Sequence, residues 1–330
     1  MIKTLPVPLP SEKISNKKNG ARLAADAAKR LSIFVFAAAM SGLLCFAIND
    51  GQFRFENFLY AQVSEPINEI VYATPKKTPK INLELNAKAG LSLSIAPSGK
   101  ERIIFQKNID DVLPIASLTK LMAATVIFEN GEIYDREKQI TVSEFAAGQV
   151  DVPVAGNLFP GQIYSMRQLL DLMLFYSSND AAFSLAEVMG ADQFTAAMNQ
   201  KARDIGLMNT AFFNPTGLDI DGGQNNYSNV SDLLVLTKYI LANHPEIFSI
   251  TIQPGNYPTE NGIFSFNLWD GQKLIGGKTG YTEKAGGCMI AIFENQTGRR
   301  FINILLGSLS PESRVAEMQK MINCDSNSEK

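Results

Sequence analysis

Histidine is nearly absent from this chain of 330 residues, which has one, His244. A Ser-His-Asp triad would have to use it, yet His244 stands at the end of a predicted helix, where it suits a cap or a solvated position. The three cysteines, Cys45, Cys288 and Cys324, show no metal-type spacing and imply no disulfide framework. A net charge of -3 provides no electrostatic case for nucleic-acid binding.

The composition that remains is that of an ordinary globular protein. Apolar residues make up 45% of the chain and charged residues 19%, which is enough for a substantial core. A length of 330 residues has room for one large domain or two ordinary ones.

Charge is also missing from residues 31–48, which follow a polar and basic stretch at residues 1–30. About eighteen apolar residues just span a bilayer, and preceding basic residues keep that end in the cytoplasm. The pattern predicts a cytoplasmic N-terminus, a transmembrane signal anchor at 31–48, a linker at 49–80 and an exported domain. The alternative is a cleaved signal peptide, for which the candidate cleavage sites are poor.

The exported part begins with strands and ends with strands. Residues 91–96 and 102–106 predict a hairpin, and residues 272–280, 287–293 and 301–306 predict an antiparallel meander followed by a helix at 311–322. Between them lies a helical insert at about 132–235, with helices at 166–176 and 181–189. The pattern therefore predicts an α/β part and an all-α part, with the active site in the cleft between them. We take residues 81–324 as this domain and 325–330 as a tail.

A serine and a lysine three residues apart occupy the start of the most apolar predicted helix. Pro114 suits a first helical turn, and Asn130 followed by glycine provides a stop after Phe128. Ser117 and Lys120 then share one face of a buried helix. Burial disfavours the ammonium form, so a neutral Lys120 would accept the proton of Ser117. The alternative is a lysine whose amine reaches the surface past its own stem.

Two further segments carry polar side chains at places where catalysis would need them. Ser177, Ser178 and Asn179 form a short polar step between two apolar helices, which is also the composition of a plain helix cap. Lys278, Thr279 and Gly280 lie on a predicted strand, where glycine often marks the close approach of a ligand. The alternative for this strand is an exposed sheet edge protected by lysine.

Taken in order, these three segments resemble the motifs of the penicillin-recognising serine enzymes. The wider chain, from about 82 to 322, resembles the low-molecular-weight serine D-alanyl-D-alanine carboxypeptidases, including its segments at 113–121, 214–218 and 278–286. The resemblance implies a β-lactamase/transpeptidase-like fold, in which helices flank an antiparallel five-stranded sheet and a helical subdomain is inserted.

The resemblance also implies a role for each motif residue. Ser117 would be the acylated nucleophile, Lys120 its general base, and Ser177 the group that passes the proton to the leaving group. The main-chain N–H groups of Ser117 and Tyr281 would form the oxyanion hole. Substrate binding would fall to Asn179, Lys278, Thr279, Gly280, Tyr281 and Arg314. Many family members have histidine where Tyr281 stands, and Arg314 matches the family's carboxylate-binding arginine less closely.

The implied reaction removes the terminal D-alanine from peptidoglycan stem peptides without metal or cofactor. The implied partners are a stem peptide ending in D-Ala-D-Ala, β-lactam antibiotics and, through the N-terminal helix, the bacterial cytoplasmic membrane. A class A β-lactamase needs a Glu-x-x-Leu-Asn segment, which residues 180–278 lack, so slow deacylation of penicillin is expected. Two more functions stay open: a D,D-endopeptidase of the same family, and an inactive β-lactam-sensing or wall-binding module.

Overall fold

A five-stranded antiparallel sheet forms the centre of the described chain. The computed structural model describes residues 83–135, 137–149, 157–219, 224–252, 268 and 271–327. In chain order, the strands of the sheet are β1 Ala89–Ile95, β2 Glu101–Lys107, β7 Lys273–Thr282, β8 Gly286–Glu294 and β9 Arg300–Ser308. Their spatial order is β2-β1-β9-β8-β7, so β7 is an edge strand. Short segments form two small separate pairings: β3 Leu113–Pro114 with β6 Tyr227–Ser228, and β4 Gln139–Thr141 with β5 Ile163–Ser165.

Helices cover both faces of the sheet. This burial matches the sequence of its central strands, which are apolar at nearly every position. On β8, Met289, Ala291 and Phe293 point into one hydrophobic cluster, while Ile290 and Ile292 point into another. Such alternation follows from the two-residue period of a strand. The first cluster contains side chains of the last helix, and the second contains the helix that follows Ser117. A strand buried on both faces therefore reads as an unbroken apolar run.

Seven helices are present in the described part of the chain. In order they are α1 Thr119–Glu129, α2 Met166–Leu174, α3 Asn179–Glu187, α4 Ala191–Asp204, α5 Val230–Asn243, α6 Pro245–Ile252 and α7 Pro311–Asn327. Short 3-10 turns occur at Ala116–Leu118 and Ala146–Gly148. Helices α2 to α4 belong to the predicted insert between the early and late strands.

The final helix is held to the sheet by two buried carboxylates as well as by apolar contacts. Glu317 accepts hydrogen bonds from the main-chain N–H of Ala87 at 2.8 Å and from the hydroxyl of Ser308 at 2.6 Å. Asp325 accepts from the side-chain amide of Asn303 at 2.7 Å and from the hydroxyl of Ser92. These bonds link α7 to β9 and to β1 with its preceding residues, and β1 and β9 are adjacent strands in the interior of the sheet.

Local sequence signals located several elements correctly. The predicted hairpin and the predicted meander are both present, and Ser165 and Gln168 form a reciprocal capping box that starts α2. Asn229 caps α5 at its start and His244 is the residue at its C-terminal cap. The last helix runs five residues further than predicted, to Asn327.

The predictions for the N-terminal region lie outside the described residues. These are the basic stretch at 1–30, the signal anchor at 31–48 and the linker at 49–80. Among the helices that the structure describes, none combines the length and hydropathy required to cross a bilayer.

Candidate active site

Ser117 lies in a tight turn in front of α1. The predicted helix start at Pro114 is wrong, because Pro114 pairs with Tyr227 in a two-residue strand and α1 begins at Thr119. The chain turns at Ala116, which has a positive φ of 46°, and enters a 3-10 turn that carries Ser117. A non-glycine residue in this conformation costs free energy and tends to occur at functional sites. The turn leaves Ser117 partly exposed in front of a buried helix.

Lys120 is completely buried beneath Ser117. This excludes the alternative that its amine reaches the surface. Its Nζ donates to the Ser117 Oγ at 2.9 Å, to the Asn179 Oδ1 at 2.7 Å and to the main-chain oxygen of Thr216 at 2.7 Å. The lysine thus joins the first two sequence motifs to the loop that contains Thr216.

These three acceptors determine what a neutral Lys120 would do. An ammonium group has three protons and a neutral amine has two protons and one lone pair. The oxygens of Asn179 and Thr216 only accept, so each takes one proton of the amine. Ser117 is the one of the three groups that has a proton to donate. The lone pair of a neutral amine therefore faces the hydroxyl of Ser117.

Ser177 and Asn179 lie on either side of a helix cap. Ser178 accepts a hydrogen bond from the N–H of Ala181 at 3.0 Å, so the cap interpretation is confirmed for Ser178. Ser177 has a positive φ of 64° and is nearly buried. The cap leaves the Asn179 side chain directed at Lys120, while Ser177 contacts the third motif.

Lys278 lies on edge strand β7 but is not exposed, which rules out the interpretation of a solvated edge lysine. Its Nζ donates to the Ser177 Oγ at 2.8 Å and to the main-chain oxygen of Thr279 at 3.0 Å. The pKa of Lys278 is held well below its ordinary value. Burial is the largest cause, and the positive charges of Lys120 and Arg314 lower the pKa further. The three motifs therefore converge on one site with two buried lysines.

Replacing Lys278 by methionine should change how stability depends on pH. A lysine with a lowered pKa in the folded state binds fewer protons than in the unfolded state, so it makes the wild type gain stability as pH rises. The gain continues up to the unfolded pKa of about 10.4. We expect the free energy of unfolding of wild type, relative to Lys278→Met, to increase as the pH rises toward about 10 in denaturant titrations. A pH-independent difference would show that Lys278 titrates near its ordinary pKa.

Two glycines make the turn at Ser117 possible by close contact. A Cβ atom on Gly280 of β7 would lie 2.9 Å from the Ser117 nitrogen. A Cβ on Gly217, whose φ is +87°, would lie 2.1 Å from the carbonyl oxygen of Ala116. A side chain at either position would therefore displace the backbone that carries Ser117.

Gly217→Ala should reduce both stability and acylation of Ser117, because the methyl group meets main-chain atoms. Gly99→Ala is the matched control, since Gly99 has a similar φ of +82° and no atom within 4 Å of the added Cβ. We expect each change to cost about 1 kcal/mol or more from the positive φ. Only Gly217→Ala should also slow penicillin labelling, measured under conditions where both variants are folded. Equal labelling of the two variants would contradict the inferred contact.

The other predicted binding residues lie on or against β7. Thr279 is nearly buried and Tyr281 is 46% exposed. Arg314 of α7 is also nearly buried, and its Nη1 donates to the main-chain oxygen of Gly280 at 2.8 Å. Burial lowers the pKa of Arg314 from its ordinary value. The contact joins the Arg314 guanidinium to the backbone of β7, and its role in carboxylate binding stays a prediction.

The sequence motifs missed two groups that contact the site. One is the main-chain oxygen of Thr216, which has no side-chain signature. The other is Asn226, whose main-chain oxygen accepts from the N–H of Ile115 at 3.1 Å and whose side chain donates to Thr119 at 2.9 Å. The Asn-Pro-Thr-Gly turn at residues 214–217 was the available signal for the first group.

The family model for D-alanyl-D-alanine carboxypeptidases, peptidase S11, matches residues 78–310. The chain belongs to this family. Its match to D-alanyl-D-alanine carboxypeptidase DacF of Bacillus subtilis is 32% identical over 233 residues, which cover 67% of this chain and 58% of the relative. A D-alanyl-D-alanine endopeptidase of Pseudomonas aeruginosa is 30% identical over 237 residues, covering 67% of this chain and 72% of the relative.

Solved structures agree with membership of the S11 family. Penicillin-binding protein D2 of Listeria monocytogenes, in its cefotaxime-bound form, has a TM-score of 0.61 at 30% identity. The match covers 74% of this chain and 98% of that structure. The same Listeria protein has also been solved in an ampicillin-bound form. The five-stranded antiparallel sheet with flanking helices is thus the penicillin-binding protein fold that was expected.

Proposed function

We propose that this S11 family member is a serine D-alanyl-D-alanine carboxypeptidase, which removes the terminal D-alanine from peptidoglycan stem peptides. One observation carries the proposal. Two serines of the site each contact a different buried lysine. Lys120 Nζ lies 2.9 Å from Ser117 Oγ, and Lys278 Nζ lies 2.8 Å from Ser177 Oγ. The first pair provides a nucleophile with a base, and the second provides a hydroxyl beside a cationic or proton-donating group.

Acylation begins when Lys120 accepts the proton of Ser117. The Ser117 oxygen forms a bond to the carbonyl carbon of the penultimate D-alanine. The carbonyl oxygen becomes an oxyanion, which the main-chain N–H groups of Ser117 and Tyr281 would stabilise. Gly280 supports this assignment because its close approach brings β7 against the Ser117 nitrogen.

Loss of the leaving group needs a proton on the amide nitrogen. Ser177 passes a proton to that nitrogen, the carbon–nitrogen bond breaks, and D-alanine departs with an acyl-enzyme left on Ser117. The proton that Lys120 took from Ser117 replaces the one that Ser177 gives up, so both lysines return to their starting protonation states, and Lys278 orients the Ser177 hydroxyl that it contacts. Water then attacks the ester, releases the shortened peptide and returns the proton to Ser117.

The remaining residues would hold the substrate. Asn179 uses its oxygen toward Lys120, so its amide N–H₂ is the group that would donate to a substrate carbonyl. Lys278 would add positive charge near the substrate, and Thr279 and Gly280 would form the strand along which the peptide binds. Arg314 would contribute to binding the substrate carboxylate from beside β7, whose backbone it contacts.

We further propose that β-lactams acylate Ser117 and leave slowly. The Listeria neighbour has been solved with ampicillin and with cefotaxime. The Glu-x-x-Leu-Asn segment of class A β-lactamases is missing between residues 180 and 278, so no such base is available for deacylation. The proposed substrate lies outside the cytoplasmic membrane, and we accordingly place the catalytic domain, residues 81–324, on that side, tethered by residues 31–48.

D,D-endopeptidase activity is the second candidate, and one observation favours it. The relative from Pseudomonas aeruginosa is named an endopeptidase, at an identity close to that of the carboxypeptidase from Bacillus. A sensing module without turnover is disfavoured because Ser117, Lys120, Ser177 and Lys278 make the contacts that catalysis needs.

The test is the release of D-alanine from a peptide ending in Lys-D-Ala-D-Ala, with cross-linked muropeptides assayed in parallel. Release of D-alanine from the peptide, with no cleavage of the cross-linked muropeptides, would establish the carboxypeptidase. Cleavage of the cross-linked substrate alone would establish the endopeptidase. Covalent labelling of Ser117 by penicillin with no cleavage of either substrate would support the sensing module and overturn the proposed reaction.

A further inference from the structure

We propose that Asn226 is a positioning residue for the general base Lys120. This proposal rests on the proposed function, because it concerns the same reaction. The side-chain hydrogen bonds of Asn226 go to residues 119, 213 and 214 rather than to Ser117 or Lys120. It acts through the main chain of the loop that contains Thr216 and through the first residue of α1.

Asn226 joins three segments of the site although it is almost entirely buried. Its Oδ1 accepts from the N–H of Phe213 at 2.7 Å, and its Nδ2 donates to the main-chain oxygen of Asn214 at 2.8 Å. The same Nδ2 donates to the Thr119 hydroxyl at 2.9 Å. Its own main-chain oxygen accepts from the N–H of Ile115 at 3.1 Å, just before the turn.

These contacts determine where the Thr216 carbonyl lies. The Oδ1 of Asn214 accepts from the N–H of Thr216 at 3.1 Å and from the N–H of Gly217 at 2.7 Å, forming a tight turn. Asn226 holds Asn214 by its main-chain oxygen, and it also accepts from the Asn214 N–H at 3.3 Å. The turn is therefore fixed relative to Thr119, the neighbour of Lys120.

The position of the Thr216 carbonyl controls the direction of the Lys120 lone pair. Thr216 and Asn179 each take one proton of the neutral amine, and the lone pair is left for Ser117. If the Thr216 oxygen moves away, the Lys120 amine can rotate about its Cε–Nζ bond, and its lone pair then no longer points at the Ser117 hydroxyl. A misplacement of about 1 Å at such a site lowers the reaction rate by about 10²-fold.

The chain contains a matched control at Asn199, a residue of α4. Its Oδ1 accepts from the N–H of Phe212 at 2.9 Å, and its Nδ2 donates to the Phe212 oxygen at 2.7 Å. Asn199 therefore holds the same loop by the same type of bonds, one residue before the segment that Asn226 holds. Its side chain bonds to Phe212 and to its own helix at Thr195, whereas Asn226 also bonds to the start of α1.

The experiment compares wild type, Asn226→Ala and Asn199→Ala in the full chain. The first measurement separates the acylation rate constant for a penicillin from its preceding binding constant, well below the melting temperature of each variant. We expect Asn226→Ala to lower the acylation rate constant by about 10- to 100-fold with little change in the binding constant. Both variants should melt at a lower temperature than wild type, but Asn199→Ala should acylate at the wild-type rate. An unchanged rate in Asn226→Ala, or equal losses in both variants, would overturn the proposal.

A crystal structure of each variant separates this proposal from the proposed function. Asn226→Ala should lose the 2.7 Å contact between Lys120 Nζ and the Thr216 oxygen, and Asn199→Ala should keep it. This result is expected even if the wild-type chain cleaves neither wall substrate. An Asn226→Ala structure in which Lys120 still contacts both Thr216 and Ser117 would refute the positioning role whatever the activity.

Discussion

Ser117→Ala is expected to abolish both D-alanine release and covalent penicillin labelling. The Ser117 Oγ forms the new bond to the substrate carbonyl carbon, and it lies 2.9 Å from the Lys120 Nζ that takes its proton. Removing a nucleophile of this kind typically costs on the order of 10⁴-fold or more in rate. Quantified D-alanine and labelling by a fluorescent penicillin, with mass spectrometry of the intact chain, measure the two effects.

Ser165→Ala is a suitable control for that variant. Ser165 caps α2 and its loss should cost about 1 kcal/mol of stability. Its hydroxyl takes part in the capping box rather than in the catalytic contacts, so peptidase activity should be kept. Penicillin labelling of Ser117→Ala at the wild-type rate, on any residue, would contradict the assigned nucleophile.

Lys120→Met is expected to produce the second-largest loss. Methionine has a similar volume and no proton-accepting nitrogen, so Ser117 keeps its neighbour but loses its base. General-base catalysis typically contributes about 10² to 10⁴-fold, and we expect the acylation rate constant to fall by that factor. Stopped-flow measurement of penicillin acylation, together with D-alanine release, is the appropriate assay.

Lys284→Met distinguishes loss of the base from loss of positive charge. Lys284 is exposed in the turn between β7 and β8, where its N–H donates to Asp219. Replacing Lys284 by methionine removes a positive charge just beyond the end of β7 and leaves the Ser117–Lys120 pair unchanged. Acylation at the wild-type rate by Lys120→Met would eliminate Lys120 as the base and direct attention to Lys278.

The three motifs could be predicted from sequence because each is short and lies within or beside an element with a strong local signal. The capping box at Ser165 and the apolar run of β8 fix their elements almost without reference to the rest of the chain. The pattern of strands and helices predicted an active site in a cleft, and the family resemblance assigned the three motifs to that site. The structure places their side chains in contact.

The start of α1 could not be predicted in the same way. Pro114 is compatible with a first helical turn, but its pairing with Tyr227 depends on a residue more than one hundred positions away. The positive φ of Ala116 likewise depends on Asn226, Gly217 and Gly280, which only tertiary structure brings to that turn. Local propensity was overridden by these contacts at the place where Ser117 needs to protrude.

Because α1 is apolar and buried, we expect the active site to unfold only when the whole domain unfolds. Nine consecutive residues, Thr119 to Ile127, are buried, so this helix cannot open without exposing the centre of the core. Amides in such a segment exchange with solvent only when the domain unfolds globally. Heat inactivation should therefore follow the cooperative melting curve, with no temperature range in which the chain is folded but its nucleophile has already been lost.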